Sequence, residues 1–191
     1  MRLTVAIPAD PALQRSLSSF HASAPHIEWV EANQCFLTVR ELGTITDIDV
    51  LDALDLELLR IAPRDLGVNF TGLTIEPQGL TDAIYLEVAP DDPLTNFRTK
   101  IENATRRSGH KLEKRRYRPR LRLGQAKTSL RAQTILWTQK MNLEICGKMH
   151  VDRFCLLEMR GDASQLWWET CEDYPLSHYH APVAAWKTSY L

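Results

Sequence analysis

Two stretches of the chain decide its fold class, YRPRLRLG at residues 117–124 and FLTVRELG at residues 36–43. Side chains alternate between the two faces of a β-strand, so residues i and i+2 lie on the same face. The alternation predicts two strands, at residues 36–42 and 118–123, whose apolar residues face the core. The other face of the first strand carries Phe36, Thr38 and Arg40. The other face of the second strand carries three arginines, Arg118, Arg120 and Arg122.

The surrounding sequence predicts an α+β fold of two similar lobes, each a sheet covered by helices. Alternating or apolar runs predict further strands at residues 2–7, 67–76, 83–88, 151–159 and 166–174. The spacing of apolar residues predicts helices at residues 11–22, after a cap at Thr46, after Asp92 and around residues 128–140. The order of strands and helices in the first part of the chain is much the same as that in the second part.

The charge of the chain is concentrated in one segment. The 191 residues have a net charge of −1, but residues 98–131 contain 13 Lys or Arg and only two acids, Glu102 and Glu113. That segment is therefore +11, and the rest of the chain is −12. A basic block of this kind is typical of a phosphate-binding surface.

Several classes of protein are disfavoured by the sequence. No apolar run approaches the ~18 residues of a membrane helix, and residues 1–8 (MRLTVAIP) are typical of a buried strand rather than of a signal peptide. We therefore expect a cytoplasmic protein with no membrane partner. The four cysteines form no C-x-x-C motif, so we expect buried thiols and no metal. No G-x-x-x-x-G-K-[ST] motif supports ATP-dependent ligation, and no cofactor is expected.

Five stretches in order resemble the 2H phosphoesterases of the 2'-5' RNA ligase-like family. They are residues 1–8 (MRLTVAIP), 27–30 (IEWV) followed by 36–43 (FLTVRELG), 70–73 (FTGL), 117–124 (YRPRLRLG) and 166–176 (LWWETCEDYPL). The resemblance implies two antiparallel-rich sheets flanked by helices around a central cleft. It spans residues 1–176, which we expect to form a single two-lobed domain, with residues 177–191 as a C-terminal extension.

The resemblance also implies where catalysis would occur. In this family two His-x-Thr/Ser motifs face each other across the cleft, and their histidines act as general base and general acid on 2',3'-cyclic phosphates of RNA. The matching positions here are Phe36-Leu37-Thr38 and Arg120-Leu121-Arg122, so only Thr38 is retained. Phenylalanine carries no proton, and arginine, with a pKa above ~12, stays protonated. Because a positioned acid or base contributes about 10²–10⁴-fold in rate, the sequence predicts a pseudoenzyme.

Three functions remain open at this point. The first is a monomeric protein that binds RNA ends, nucleotides or another phosphorylated ligand through Phe36, Thr38, Arg40, Arg118, Arg120 and Arg122. The second is an RNA 2',3'-cyclic phosphodiesterase in which a displaced histidine, His110 or His150, restores activity. The third is an interaction module whose arginines pair with the protein's own acids, for which Glu41, Glu87 and Glu113 are the candidates.

The other aromatic and imidazole side chains are given structural roles by the sequence. Of the five tryptophans, all but Trp186 are expected mainly in the core. His178 and His180 have the spacing of metal ligands on a strand, yet no third ligand is evident, and we expect a solvated tail.

Overall fold

The structure, a computed structural model, describes residues 1–62, 66–114, 116–142, 144–145, 147–161 and 166–176. Within these residues the chain forms nine strands and four α-helices. The strands are β1 (Arg2–Pro8), β2 (Ile27–Trp29), β3 (Phe36–Thr44), β4 (Gly67–Gln78), β5 (Thr81–Val88), β6 (Arg120–Lys127), β7 (Gly147–His150), β8 (Arg153–Gly161) and β9 (Leu166–Pro175). The helices are α1 (Pro11–Ser23), α2 (Ile48–Leu59), α3 (Asp92–Arg107) and α4 (Arg131–Met141).

The nine described strands form one antiparallel sheet in the order β7-β4-β5-β6-β3-β1-β8-β9, with β2 paired to β6. Strands β3 and β6 are joined by one residue pair, Leu37 with Leu121. This narrow junction divides the sheet into the β1 half (β3, β1, β8 and β9) and the β5 half (β7, β4, β5, β6 and β2). The two sheets expected from the sequence are therefore continuous, because their central strands meet at one point.

Two helices cover each half of the sheet, and the helices of one pair, α1 and α4, are far apart in the sequence. Helix α3 packs on the β1 half, where the ring of Phe97 meets that of Phe154 edge-on at 5.2 Å between centroids. Helix α2 packs against α3. Helices α1 and α4 belong to the other half: Phe20 of α1 contacts Trp137 of α4 at 6.0 Å, and α4 contacts β4 and β6. Helix α1 directly follows β1 of the β1 half in sequence, but it packs with α4 on the β5 half. The chain therefore crosses from one half to the other between β1 and α1.

Three helices begin at an aspartate whose carboxylate accepts a hydrogen bond from a backbone N–H of the first turn. These residues are Asp10 for α1, Asp47 for α2 and Asp91 for α3. The expected cap at Thr46 is therefore wrong by one residue, since Asp47 fills that role. Among the described helices, of which α3 is the longest at 16 residues, none has the length and apolarity that crossing a membrane requires.

The strand expected at residues 118–123 begins later, at Arg120. Pro119 precedes it and has no N–H to donate to a neighbouring strand. The Pro119 carbonyl still accepts a hydrogen bond from Val88 N–H at 3.2 Å, so the chain enters β6 alongside β5. Arg118 is therefore held just before the strand, while Arg120 and Arg122 lie on it.

Candidate ligand-binding cleft

A cleft of about 1190 Å³ lies over the junction of β3 and β6. Leu37 and Leu121 at that junction are fully buried, so the alternation places their neighbours on the opposite, open face. Continuing the antiparallel register by one residue sets Thr38 beside Arg120 and Phe36 beside Arg122. All six residues singled out from the sequence line this cleft: Phe36, Thr38, Arg40, Arg118, Arg120 and Arg122.

Arg120, one of the six residues singled out from the sequence, is held in place by two side chains. Its guanidinium carbon lies 3.7 Å from the centroid of the Tyr85 ring, and its Nη1 is ion-paired with Glu76. A guanidinium over an aromatic face gains about 0.5–2 kcal/mol, depending on its desolvation. Arg120 is thus a fixed cation in the cleft wall, and it cannot accept a proton.

Two further arginines of the cleft are paired with protein groups. Arg118 Nη2 lies 2.8 Å from Glu87 Oε1, which is one of the pairings foreseen as an alternative. Arg40 is only 6% exposed, lies 3.4 Å from Glu102 and donates to the backbone carbonyl of Glu113. Arg40 therefore stabilises the cleft wall from within.

Arg122 differs from these residues because it is exposed and pairs with no carboxylate among the described residues. Its Nη2 donates to Gln125 Oε1 at 3.0 Å, and Gln125 Nε2 donates to Glu28 Oε2 at 2.8 Å. A guanidinium only donates and a carboxylate only accepts, so this chain fixes the orientation of the Gln125 amide. Arg122 is thereby oriented, yet it keeps donors for an anion.

The close approach of β2 to β6 depends on Gly124. A Cβ at that position would lie 2.6 Å from the Glu28 carbonyl oxygen, so a larger residue would force the strands apart. The glycine lets β2 bring Glu28 and Trp29 to the cleft rim, and through Glu28 it supports the position of Arg122.

The electrostatic balance of the cleft is less positive than the +11 segment predicts. Six arginines line it, namely Arg40, Arg98, Arg116, Arg118, Arg120 and Arg122. Glu76, Glu87 and Glu102 pair with four of them, since Glu102 also contacts Arg98 at 2.8 Å. Among the described residues, no carboxylate pairs with Arg116 or Arg122. The capacity to bind an anion is therefore concentrated at these two residues.

Aromatic side chains line the cleft in numbers that the sequence did not indicate. Trp29, Trp167 and Trp168, all expected mainly in the core, line it together with Tyr85 and Tyr117. Trp167 is 48% exposed. The sequence did contain a signal that one of these tryptophans is exposed: Trp167 and Trp168 are adjacent, and two adjacent residues on a strand cannot both face the core.

The two histidines considered as replacements in catalysis lie elsewhere. His110 Nε2 is 2.7 Å from the Leu42 carbonyl oxygen, an acceptor, so this nitrogen donates to the backbone. His150 is exposed on β7, at the edge of the sheet, where it pairs with Gly67. Within the described part of the chain no histidine lines the cleft. His178 and His180 lie outside the described residues, as does Trp186.

None of the described cysteines lines the cleft, and the described residues contain no cluster that could bind a metal ion. Cys35 and Cys155 are buried as expected, and burial raises the pKa of each thiol to about 12. Cys171 is exposed, contrary to expectation, and Cys146 lies outside the described residues. In the described ranges, no three His, Cys, Asp or Glu side chains cluster in a way that could hold a metal ion.

Solved structures share this fold, although no protein-family model and no curated protein matches the sequence. Escherichia coli LigT in its apo form aligns with a TM-score of 0.65 at 18% identity, over 91% of this chain and 96% of LigT. E. coli LigT complexed with NADP+ aligns at 0.66 and 15%, over 92% and 97%. The protein TT0787 of Thermus thermophilus aligns at 0.63 and 14%, over 92% and 98%. The chain therefore has the LigT-like 2H phosphoesterase fold that its motifs resemble.

Proposed function

We propose that this protein is a degenerate 2H phosphoesterase, a pseudoenzyme that binds a phosphorylated ligand in the cleft without turning it over. RNA ends and nucleotides are the first candidates for the ligand. We further propose that it acts as a cytoplasmic monomer. Arg122, Arg120 and Thr38 would bind the phosphate, with Phe36 beside them.

One observation carries the proposal. Phe36 and Arg120, which the resemblance aligns with the family's two histidines, both line the cleft, and so does Arg122, which has no carboxylate partner among the described residues. The site thus offers guanidinium donors and a hydroxyl, which are groups that bind phosphate. It offers no imidazole to move a proton.

No histidine among the described residues lines the cleft to replace the two that the resemblance implies. Burial raises the pKa of the Tyr117 hydroxyl, so it stays protonated near neutral pH. His110 is engaged with the backbone, and His150 is at the edge of the sheet. These observations favour binding over displaced catalysis.

The ligands of the structural neighbours support the choice of ligand class. E. coli LigT has been crystallised with 3'-AMP, with ATP, with NADP+ and with phosphate. All four carry a phosphate group. A cleft of the same fold that is lined by guanidinium groups is suited to the same class of ligand.

The binding proposal is tested by titrating the protein at low salt with AMP and with short RNA oligomers that end in a phosphate. Binding should weaken as salt rises, because phosphate contacts release counterions. Replacing Arg120 and Arg122 together with alanine should weaken binding several-fold to a hundred-fold, at about 1.5–3 kcal/mol for a hydrogen bond to a charged group. If binding is absent, or unchanged in that variant, the interaction-module function replaces this proposal.

The absence of catalysis is tested separately with 2',3'-cyclic nucleotides. The protein should hydrolyse them no faster than a variant that carries Thr38→Ala and Arg122→Ala. A clear rate that disappears in His110→Ala or His150→Ala would show that a displaced histidine acts as the base. In that case the protein would be an RNA 2',3'-cyclic phosphodiesterase and not a pseudoenzyme.

A further inference from the structure

A small apolar cluster underlies one side of the cleft, separate from the main core. Ala6, Cys155 and Leu157 are at most 1% exposed, and the half-buried rings of Phe36 and Trp168 pack against them. We call these five residues the aromatic floor. They come from β1, β8, β3 and β9, so the aromatic floor consists only of strand residues of the β1 half.

The backbone next to the aromatic floor is held in position by the chain around it. The backbone N–H of Trp168 donates to Gln34 Oε1 at 3.0 Å, and this hydrogen bond connects β9 to the short 3₁₀ turn before β3. Trp168 pairs with Met159 across β8 and β9, and both line the cleft. The ring of Trp168 is therefore partly buried on one side and partly open to the cleft.

The chemistry of the cleft is thus divided between its two sides. Arg122, which has no carboxylate partner among the described residues, lies with Arg120 on β6 of the β5 half, whereas the aromatic floor belongs to the β1 half. Leu37 and Leu121 pair at the junction, and Phe36 and Arg122, their neighbours in the chain, both line the cleft, so the two sides meet there. The cleft, at about 1190 Å³, is larger than the about 300–1,000 Å³ of pockets that hold drug-sized ligands, so a ligand could contact both sides.

We propose that the aromatic floor is a nucleobase subsite, with Trp168 as the residue on which the base stacks while the phosphate lies on the β6 arginines. This inference rests on the proposed function and makes it more specific: the ligand is a nucleotide or an RNA end, not a bare phosphate or a sugar phosphate. A planar base matches a fixed, half-exposed indole, since each has a π-face. The phosphate of the same molecule would lie on the arginines of β6, which line the same cleft.

The test compares three phosphate esters that share a phosphate and differ in what it carries. AMP has a base, ribose 5-phosphate has the same sugar phosphate without a base, and hexyl phosphate has an apolar chain. We expect AMP to bind at least about five-fold more tightly than ribose 5-phosphate, as the stacking of one base would give. Hexyl phosphate should bind no better than ribose 5-phosphate.

Two variants of Trp168 separate stacking from simple packing. Trp168→Leu keeps an apolar side chain over the cluster, and it should abolish the preference for AMP while the affinity for ribose 5-phosphate is unchanged. Trp168→Phe restores an aromatic face and should recover most of the preference. Unchanged circular dichroism and unchanged ribose 5-phosphate binding would show that the variants are folded.

Each outcome decides between the two levels of the proposal. If ribose 5-phosphate binds in a manner that Arg122→Ala weakens, but AMP binds no more tightly or Trp168→Leu has no effect, the base subsite is wrong and the phosphate site stands. Equal binding of hexyl phosphate and AMP would make the aromatic floor a plain apolar pocket and overturn the subsite. If none of the three esters binds, the proposed function fails and this inference fails with it.

Discussion

Replacing Arg122 with alanine is the perturbation that most directly tests how the cleft binds an anion. Arg122 is exposed, and its only described partner is the neutral Gln125 amide, 3.0 Å away. A hydrogen bond from a charged group is worth about 1.5–3 kcal/mol. Its loss should therefore account for most of the several-fold to hundred-fold weakening of AMP binding expected when Arg120 and Arg122 are both replaced. The stability of the folded protein should change by less than about 0.5 kcal/mol, as is usual for surface substitutions.

The matched comparison is the Arg118–Glu87 pair. Arg118 also lines the cleft, but Glu87 lies 2.8 Å away and neutralises it. Removing both charges together, with Arg118→Ala and Glu87→Gln, leaves the net charge of the cleft unchanged. Because Glu87 already neutralises Arg118 in the protein without ligand, AMP affinity should change little in this double variant.

Isothermal titration calorimetry with AMP at low salt measures the affinity of Arg122→Ala and that of the Arg118–Glu87 double variant. Arg153→Ala is the control for charge alone, because Arg153 carries the same charge, does not line the cleft and pairs with Asp173 at 3.3 Å. The reasoning is refuted if Arg122→Ala binds AMP as tightly as the unmodified protein, or if Arg153→Ala costs as much. A larger loss for the Arg118–Glu87 double variant would show that the paired arginine, not the unpaired one, binds the phosphate.

Three further changes have defined outcomes. Glu76→Gln removes the carboxylate that faces Arg120 and should raise AMP affinity several-fold in the same titration; a fall would mean that Glu76 positions the guanidinium instead. The hydrogen bond from Arg131 holds the pKa of the buried Asp82 carboxyl below its ordinary value. The interaction of Asp82 with Arg131 therefore stabilises the folded protein above about pH 4, and this stabilisation is lost as the pH falls through the folded-state pKa. Thermal unfolding of Asp82→Asn should lack that part of the acid dependence, and parallel curves would contradict the assignment. Because burial raises the pKa of Cys35 to about 12, mass spectrometry should find it unmodified by iodoacetamide at about pH 8 until the protein unfolds, and rapid labelling of the folded protein would contradict its burial.

Much of the fold was predictable because it depends on local periods in the chain. The two-residue period of a strand and the 3.6-residue period of a helix are properties of the backbone. FLTVRELG and YRPRLRLG were therefore enough to predict two strands and the faces of Phe36, Thr38, Arg120 and Arg122. The structure brings all of these residues to one cleft. The errors at the boundaries of elements were local as well: Asp47 caps α2 in place of Thr46, and Pro119 delays the start of β6.

The partners of those residues were not predictable, because they come from strands that are distant in sequence. Arg120 meets Glu76 and Tyr85 across the sheet, and only the strand register determines that they are neighbours. A charge count over residues 98–131 could not detect this neutralisation. The same holds for Trp168, whose neighbours in the aromatic floor lie on three other strands.

The sequence by itself determined which residue types face the cleft, because alternation along a strand is a local property. Tertiary structure alone decided which arginines keep capacity for an anion, since Arg118 and Arg120 are paired with Glu87 and Glu76 whereas Arg122 meets a neutral amide. Ion pairing and burial depend on distances between segments that the fold brings together, and those distances have no signature in any single stretch of the chain.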